Sequence, residues 1–126
     1  MDLRKYIGHA YQERGCWELL RLIYRDEMAV VLPDYAEEYA RIAEQDRGSL
    51  GALILGCSKA WRSIDRGDEQ QGDAVLFRMF GQPSHIGVVS GAGEFIHVQQ
   101  ERTAVIESYR GPRWLPRLEG FYRLCN

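Results

Sequence analysis

The stretch "SHIGVVSGAGEFIHV", residues 84–98, decides how this chain is read. β-Branched and aromatic residues flank a glycine-rich centre, which is the signature of a two-stranded hairpin. Each arm carries a histidine, His85 and His97, and the chain has only one other, His9. A three-residue loop, Gly91 to Gly93, closed by Ser90 and Glu94, is the expected connection. Such loops need a residue that tolerates positive φ, and glycine supplies it. This register sets Val89 opposite Phe95, Val88 opposite Ile96, Gly87 opposite His97 and His85 opposite Gln99. Strand side chains alternate, so His85, Gly87, His97 and Gln99 share one face. The two imidazoles become diagonal neighbours, close enough to touch, and Gly87 adds no side chain between them. A loop of even length would send the histidines to opposite faces.

Paired imidazoles let one ring orient the other. The residue for the oriented ring to act on is Cys16. In "CWELLRLIYRDE", Cys16, Leu19, Leu20, Ile23 and Tyr24 fall at helical spacing on one face. Cys16 thus sits in the first turn of a helix and faces inward. Helix dipole, free N–H groups and a nearby imidazole all lower a thiol pKa, and the Cys16 amide is placed to help bind an oxyanion. Thiol, imidazole and a polar residue holding the imidazole form an acyl-transfer constellation. Gln99, on the same face, is an alternative to His97 for holding His85. The other cysteines, Cys57 and Cys125, read as incidental, and His9 as a surface residue. Trp17, Trp61, Trp114, Phe121 and Tyr122 read as core or groove lining.

The surrounding segments set the fold class. Leu3 to Tyr11 reads as a short helix and turn. "LPDYAEEYARIAEQ" reads as a second long helix, with Asp34 as its cap and Glu37 three residues on. A third spans Ser49 to about Cys57. After these come strands: "KAWRSID", "GDAVLFRMF", the two hairpin arms, "TAVIESY" and "EGFYRLC", with "RGPRWLPRL" as a proline-broken connection. Helices first and strands later predict an α+β fold, a helical layer on one antiparallel sheet. At 126 residues the chain fits one domain, residues 1–126.

Composition excludes several classes. The formal net charge is −2 and the arginines are scattered among acids, so there is no footprint for nucleic acid. No apolar run approaches a membrane span, and "MDLRKYIGHAYQ" lacks the apolar region of a signal peptide. Three widely spaced cysteines argue against a disulfide framework or a zinc site. Asp68 and Asp73 flank turns, where aspartate makes local hydrogen bonds.

Taken together, "GCWELLRLIY", "QQGDAVLF" and "HIGVVSGAGEFIH" resemble the NlpC/P60 family of papain-like cysteine peptidases. The pattern is a cysteine at a helix start, a G-D strand, then H-x-G-apolar and a second polar residue twelve positions on. "LPDY" and "LEGFYRL" resemble the branch found in phage tail proteins. Gly15 and Glu18 stand where the family has Asp and Gly. The resemblance implies Cys16 as nucleophile, His85 as base and His97 as the orienting residue. It also implies Tyr11 as lining the oxyanion site, and Gln99, from its place on the histidine face, is read beside it as oxyanion or substrate lining. It implies a peptidoglycan stem peptide as substrate, cut between D-glutamate and a diamino acid, without a cofactor. It further implies other tail-tip proteins as partners and a place at the virion tail after assembly in the host cytoplasm. Two other readings stay open: a tail-tip assembly protein that keeps the fold with little or no activity, and a related thiol acyltransferase or amidase.

Overall fold

The structure, a computed structural model, describes residues 1–10, 15–32, 61–79, 82–99 and 102–125. The expected second and third helices, Tyr11 and Cys57 lie outside them. Leu3–Tyr6 forms a 3-10 turn rather than a longer helix. Beyond it Ala10 makes an isolated bridge to Thr103, which draws the chain into extended form. Helix α1 spans Gly15–Met28. Leu19, Leu20, Ile23 and Tyr24 are all buried, as the spacing requires. The helix ends where Ala29 turns left-handed (φ 55°) and the Val30 N–H folds back onto the Tyr24 carbonyl at 3.1 Å.

Among the described residues six strands follow: β1 (Trp61–Ile64), β2 (Ala74–Met79), β3 (Gln82–Gly91), β4 (Glu94–His97), β5 (Val105–Ser108) and β6 (Leu118–Leu124). They form one sheet in the order β1-β6-β2-β3-β4-β5, with every pair antiparallel. The α+β class holds. Among the described residues, no helix is long and apolar enough to cross a membrane.

The central strands are buried on both faces. On one face Ala74, Leu76, Ile86, Val88, Ile96 and Val98 pack with Leu19, Leu20 and Ile23 of α1. On the other, Val75, Phe77, Val89, Phe95 and Phe121 pack under Tyr109 and Trp114. The connection after β5, including the 3-10 turn Leu115–Arg117, therefore acts as a lid of aromatic side chains. This explains why "AVLF" in β2 is apolar without alternation: both of its faces are covered.

Asp73, at the start of β2, accepts from the Gln70 N–H at 2.8 Å and pairs with Arg123 of β6 at 2.8 Å. It closes a turn, as read from the sequence, and also ties two neighbouring strands together.

Candidate active site

The hairpin carries the site, and its turn differs from the expected one. Gly91 pairs with Glu94, so the loop has two residues, Ala92 and Gly93, with Gly93 at φ 78°. The register shifts between Val89 and Gly91, leaving Ser90 as a bulge. The extra residue restores the parity that an even loop would have lost. Downstream the register is the expected one: Val89 faces Phe95 and Val88 faces Ile96.

The two histidines meet. His85 Nε2 and His97 Nδ1 are 2.8 Å apart, with the rings edge to face. Both residues are buried, His97 completely. Gly87 permits this approach, since a Cβ there would lie 2.7 Å from the Phe95 ring, 2.8 Å from the Ile96 carbonyl oxygen and 3.2 Å from the His97 Cβ. The His85 ring also stacks on Trp114, with centroids 5.4 Å apart and planes at 19°. Trp114 stands edge-on to His97 at 5.0 Å. Among the described residues, the buried Trp114 Nε1 has no hydrogen-bond partner.

His97 has a second partner that sequence reasoning missed. Its Nε2 lies 2.5 Å from Glu107 Oε2. Glu107 is on β5, opposite Phe95, and therefore diagonal to His97 on the same face. Its other oxygen accepts from Arg113 Nη1 at 3.2 Å. Arg113 Nη2 donates to Gln99 Oε1 at 3.0 Å. Gln99 is thus tied to Arg113, and the position beside His85 belongs to His97. Gln99, Glu107 and Arg113 line a surface groove of about 550 Å³ with Arg102, Thr103 and Val105.

Cys16 lies in the first turn of α1, half-buried, at the edge of the core that α1 shares with β3. The nearby backbone of Ile86, the residue after His85, holds the thiol pKa down, as does that of Trp17 and of Cys16 itself. Among the described residues, no hydrogen bond links the thiol to either ring. The structure therefore brings the two rings together on the Trp114 face of the sheet, while the thiol stays with α1 on the opposite face, near the backbone next to His85; among the described residues the expected contact between thiol and imidazole is not formed.

The electrostatics correct one expectation. Burial pushes the Cys16 thiol up and outweighs the nearby backbone that pulls it down. Burial also pushes His85 down to about 3, and the neighbouring His97 adds to the effect. His97 is pushed down by burial as well, against the pull of Glu107. The resting site thus holds a neutral thiol and neutral imidazoles, not a preformed ion pair. Glu18, the acid in the first turn, is engaged by Arg21 Nη1 at 3.0 and 3.1 Å. His9 is half-buried and lines a separate groove with Glu18, Arg21 and Leu22.

Known proteins share the fold and the family. The murein DD-endopeptidase/LD-carboxypeptidase MepS of Escherichia coli K12 is 32% identical over 65 residues, which are 52% of this chain. The match spans 35% of that relative's length. An NLP/P60 family protein similar to a lipoprotein, from Staphylococcus aureus Mu50, has the same fold: TM-score 0.64, 21% identity, 97% of this chain and 38% of that one. An NlpC/P60 family protein from Bacillus cereus gives 0.65 at 20% identity, over 95% of this chain and 37% of that one. The NlpC/p60 domain of the peptidoglycan hydrolase SagA gives 0.56 at 18% identity, over 94% of this chain and 89% of that one. The NlpC/P60 family model matches residues 5–123, nearly the whole chain, and the chain belongs to the NlpC/P60 family.

Proposed function

We propose that this chain is a cysteine endopeptidase that hydrolyses amide bonds in peptidoglycan stem peptides. The observation that carries the reading is the buried His85–His97 pair, 2.8 Å apart across β3 and β4. The names of the relatives, a murein endopeptidase and a peptidoglycan hydrolase, supply the substrate class.

His85 Nε2 is taken by His97, so Nδ1 is the proposed acceptor of the Cys16 proton, once the thiol reaches the ring. Because the pair rests neutral, proton transfer accompanies attack. The Cys16 proton passes to His85 Nδ1 as sulfur bonds the carbonyl carbon, and the carbonyl oxygen becomes an oxyanion. The Cys16 amide and Tyr11 are the proposed oxyanion donors. As the tetrahedral species collapses, His85 protonates the leaving amine and a thioester remains. Water then attacks the thioester and gives its proton to His85, which returns it to the departing thiolate.

The proposed bond is that between D-glutamate and the diamino acid, and the proposed setting is a phage tail tip assembled in the host cytoplasm beside other tail proteins. A second reading, an assembly protein that retains the fold, is favoured by one observation: burial raises the thiol pKa. Purified sacculi distinguish the two. The peptidase reading predicts loss of turbidity with the intact protein and none with Cys16→Ala. No loss with either, together with Cys16→Ala supporting normal tail assembly, would favour the second.

A further inference from the structure

We propose that Glu107, anchored by Arg113, is the positioning residue that sets the proton arrangement of both histidines. This rests on reading Cys16 and His85 as nucleophile and base. Held by Arg113, Glu107 acts as a carboxylate, which only accepts hydrogen bonds. At 2.5 Å it requires the His97 proton to be on Nε2. The neutral His97 ring then has a bare Nδ1, which can only accept. His85 Nε2, 2.8 Å away, must therefore be the donor. His85 is left with a bare Nδ1, the form that can take a proton from the thiol. One carboxylate on β5 thus fixes two tautomers in series.

The reverse arrangement shows what is at stake. With the Glu107 acceptor gone, His97 can carry its proton on Nδ1 and donate to His85 Nε2. His85 would then hold its own proton on Nδ1, with no lone pair for Cys16. When His85 becomes an imidazolium during turnover, its Nε2–H still points at His97, whose Nε2–H still meets Glu107. The carboxylate stabilises that charge through the intervening ring.

The test is a long-range proton–nitrogen correlation spectrum of the ¹⁵N-histidine-labelled protein, assigned with single His variants. The expected result is a protonated Nε2 and a bare Nδ1 on both His85 and His97. Glu107→Gln, whose amide oxygen can still accept, should keep this pattern. Glu107→Leu should move the proton of one or both rings to Nδ1. Glu107 is partly exposed, so both variants should fold. On a cleavable substrate Glu107→Leu should lower kcat by about 10²-fold or more with little change in KM, and Glu107→Gln should recover much of the loss. A protonated Nδ1 on His97 in the intact protein, or an unchanged pattern in Glu107→Leu, would overturn the proposal. The spectra do not depend on turnover. The expected spectra with no cleavage by the intact protein would leave the Glu107 assignment standing and count against the peptidase reading.

Discussion

The imidazole of His85 lies face to face with the indole of Trp114, centroids 5.4 Å apart and planes 19° from parallel. Trp114 reaches this place from the connection between β5 and β6, far from the hairpin in sequence. It keeps water from the ring and so helps hold His85 neutral. Trp114→Ala should cost about 3–5 kcal/mol of stability, the usual range for deleting a buried aromatic. In the variant that remains folded, the His85 pKa should rise from its depressed value toward 6.5. Trp114→Phe should preserve most of both properties. Chemical denaturation and histidine NMR titration check the two parts separately.

The depressed His85 pKa makes stability depend on pH. In the unfolded chain the ring takes a proton below 6.5, whereas the folded protein holds it neutral down to about 3. Unfolding therefore takes up a proton between those values. The contribution is full above 6.5 and is lost on acidification, by up to about 1.4 kcal/mol per pH unit. His97 is shifted in the same direction. Urea midpoints measured from pH 7.5 to 5.5 should fall, and fall less steeply in His85→Gln. Equal slopes in the two proteins would contradict this.

Gly87→Ala should damage the site through the backbone. The new methyl would sit 2.8 Å from the Ile96 carbonyl oxygen, so β3 and β4 must part. A cost of about 1–3 kcal/mol is expected, the range for overpacking a tight core. The His85–His97 contact should loosen with it. Thermal denaturation reads the first effect and histidine ring shifts the second.

Tyr24→Phe separates stability from the site. The Tyr24 hydroxyl donates to the Gly72 carbonyl at 2.6 Å in the buried layer between α1 and the start of β2. Its removal leaves that carbonyl unpaired and should cost about 1–2 kcal/mol. Catalytic rate per folded molecule should be unchanged.

The hairpin was legible because its information is local: alternation, a glycine turn and two histidines at fixed parity. The bulge at Ser90 was not legible, since a two-residue turn with one bulged residue has the same parity as a three-residue loop. Both give the same face for His85 and His97. Glu107 had a faint signal, one charged residue inside the apolar strand "VIES". Placing it required the β4–β5 register, which no short turn motif announces. Trp114 read as core or groove lining and is buried, but its place against the histidines had no signal, because a proline-broken connection does not reveal which sheet face it will cover. The thiol pKa was misjudged for a different reason. Motif reading captured the N–H donors around Cys16 but not the density of protein around its sulfur.

The measurement that bears most directly on the central claim is mass analysis of products from a defined stem peptide, with intact protein, Cys16→Ala and His85→Ala. The account predicts two fragments from the intact protein, one with a new carboxyl end and one with a new amine. Their masses would place the cut between D-glutamate and the diamino acid or elsewhere. Neither variant should yield them. An intact substrate in all three reactions, or the same fragments from Cys16→Ala, would contradict the account.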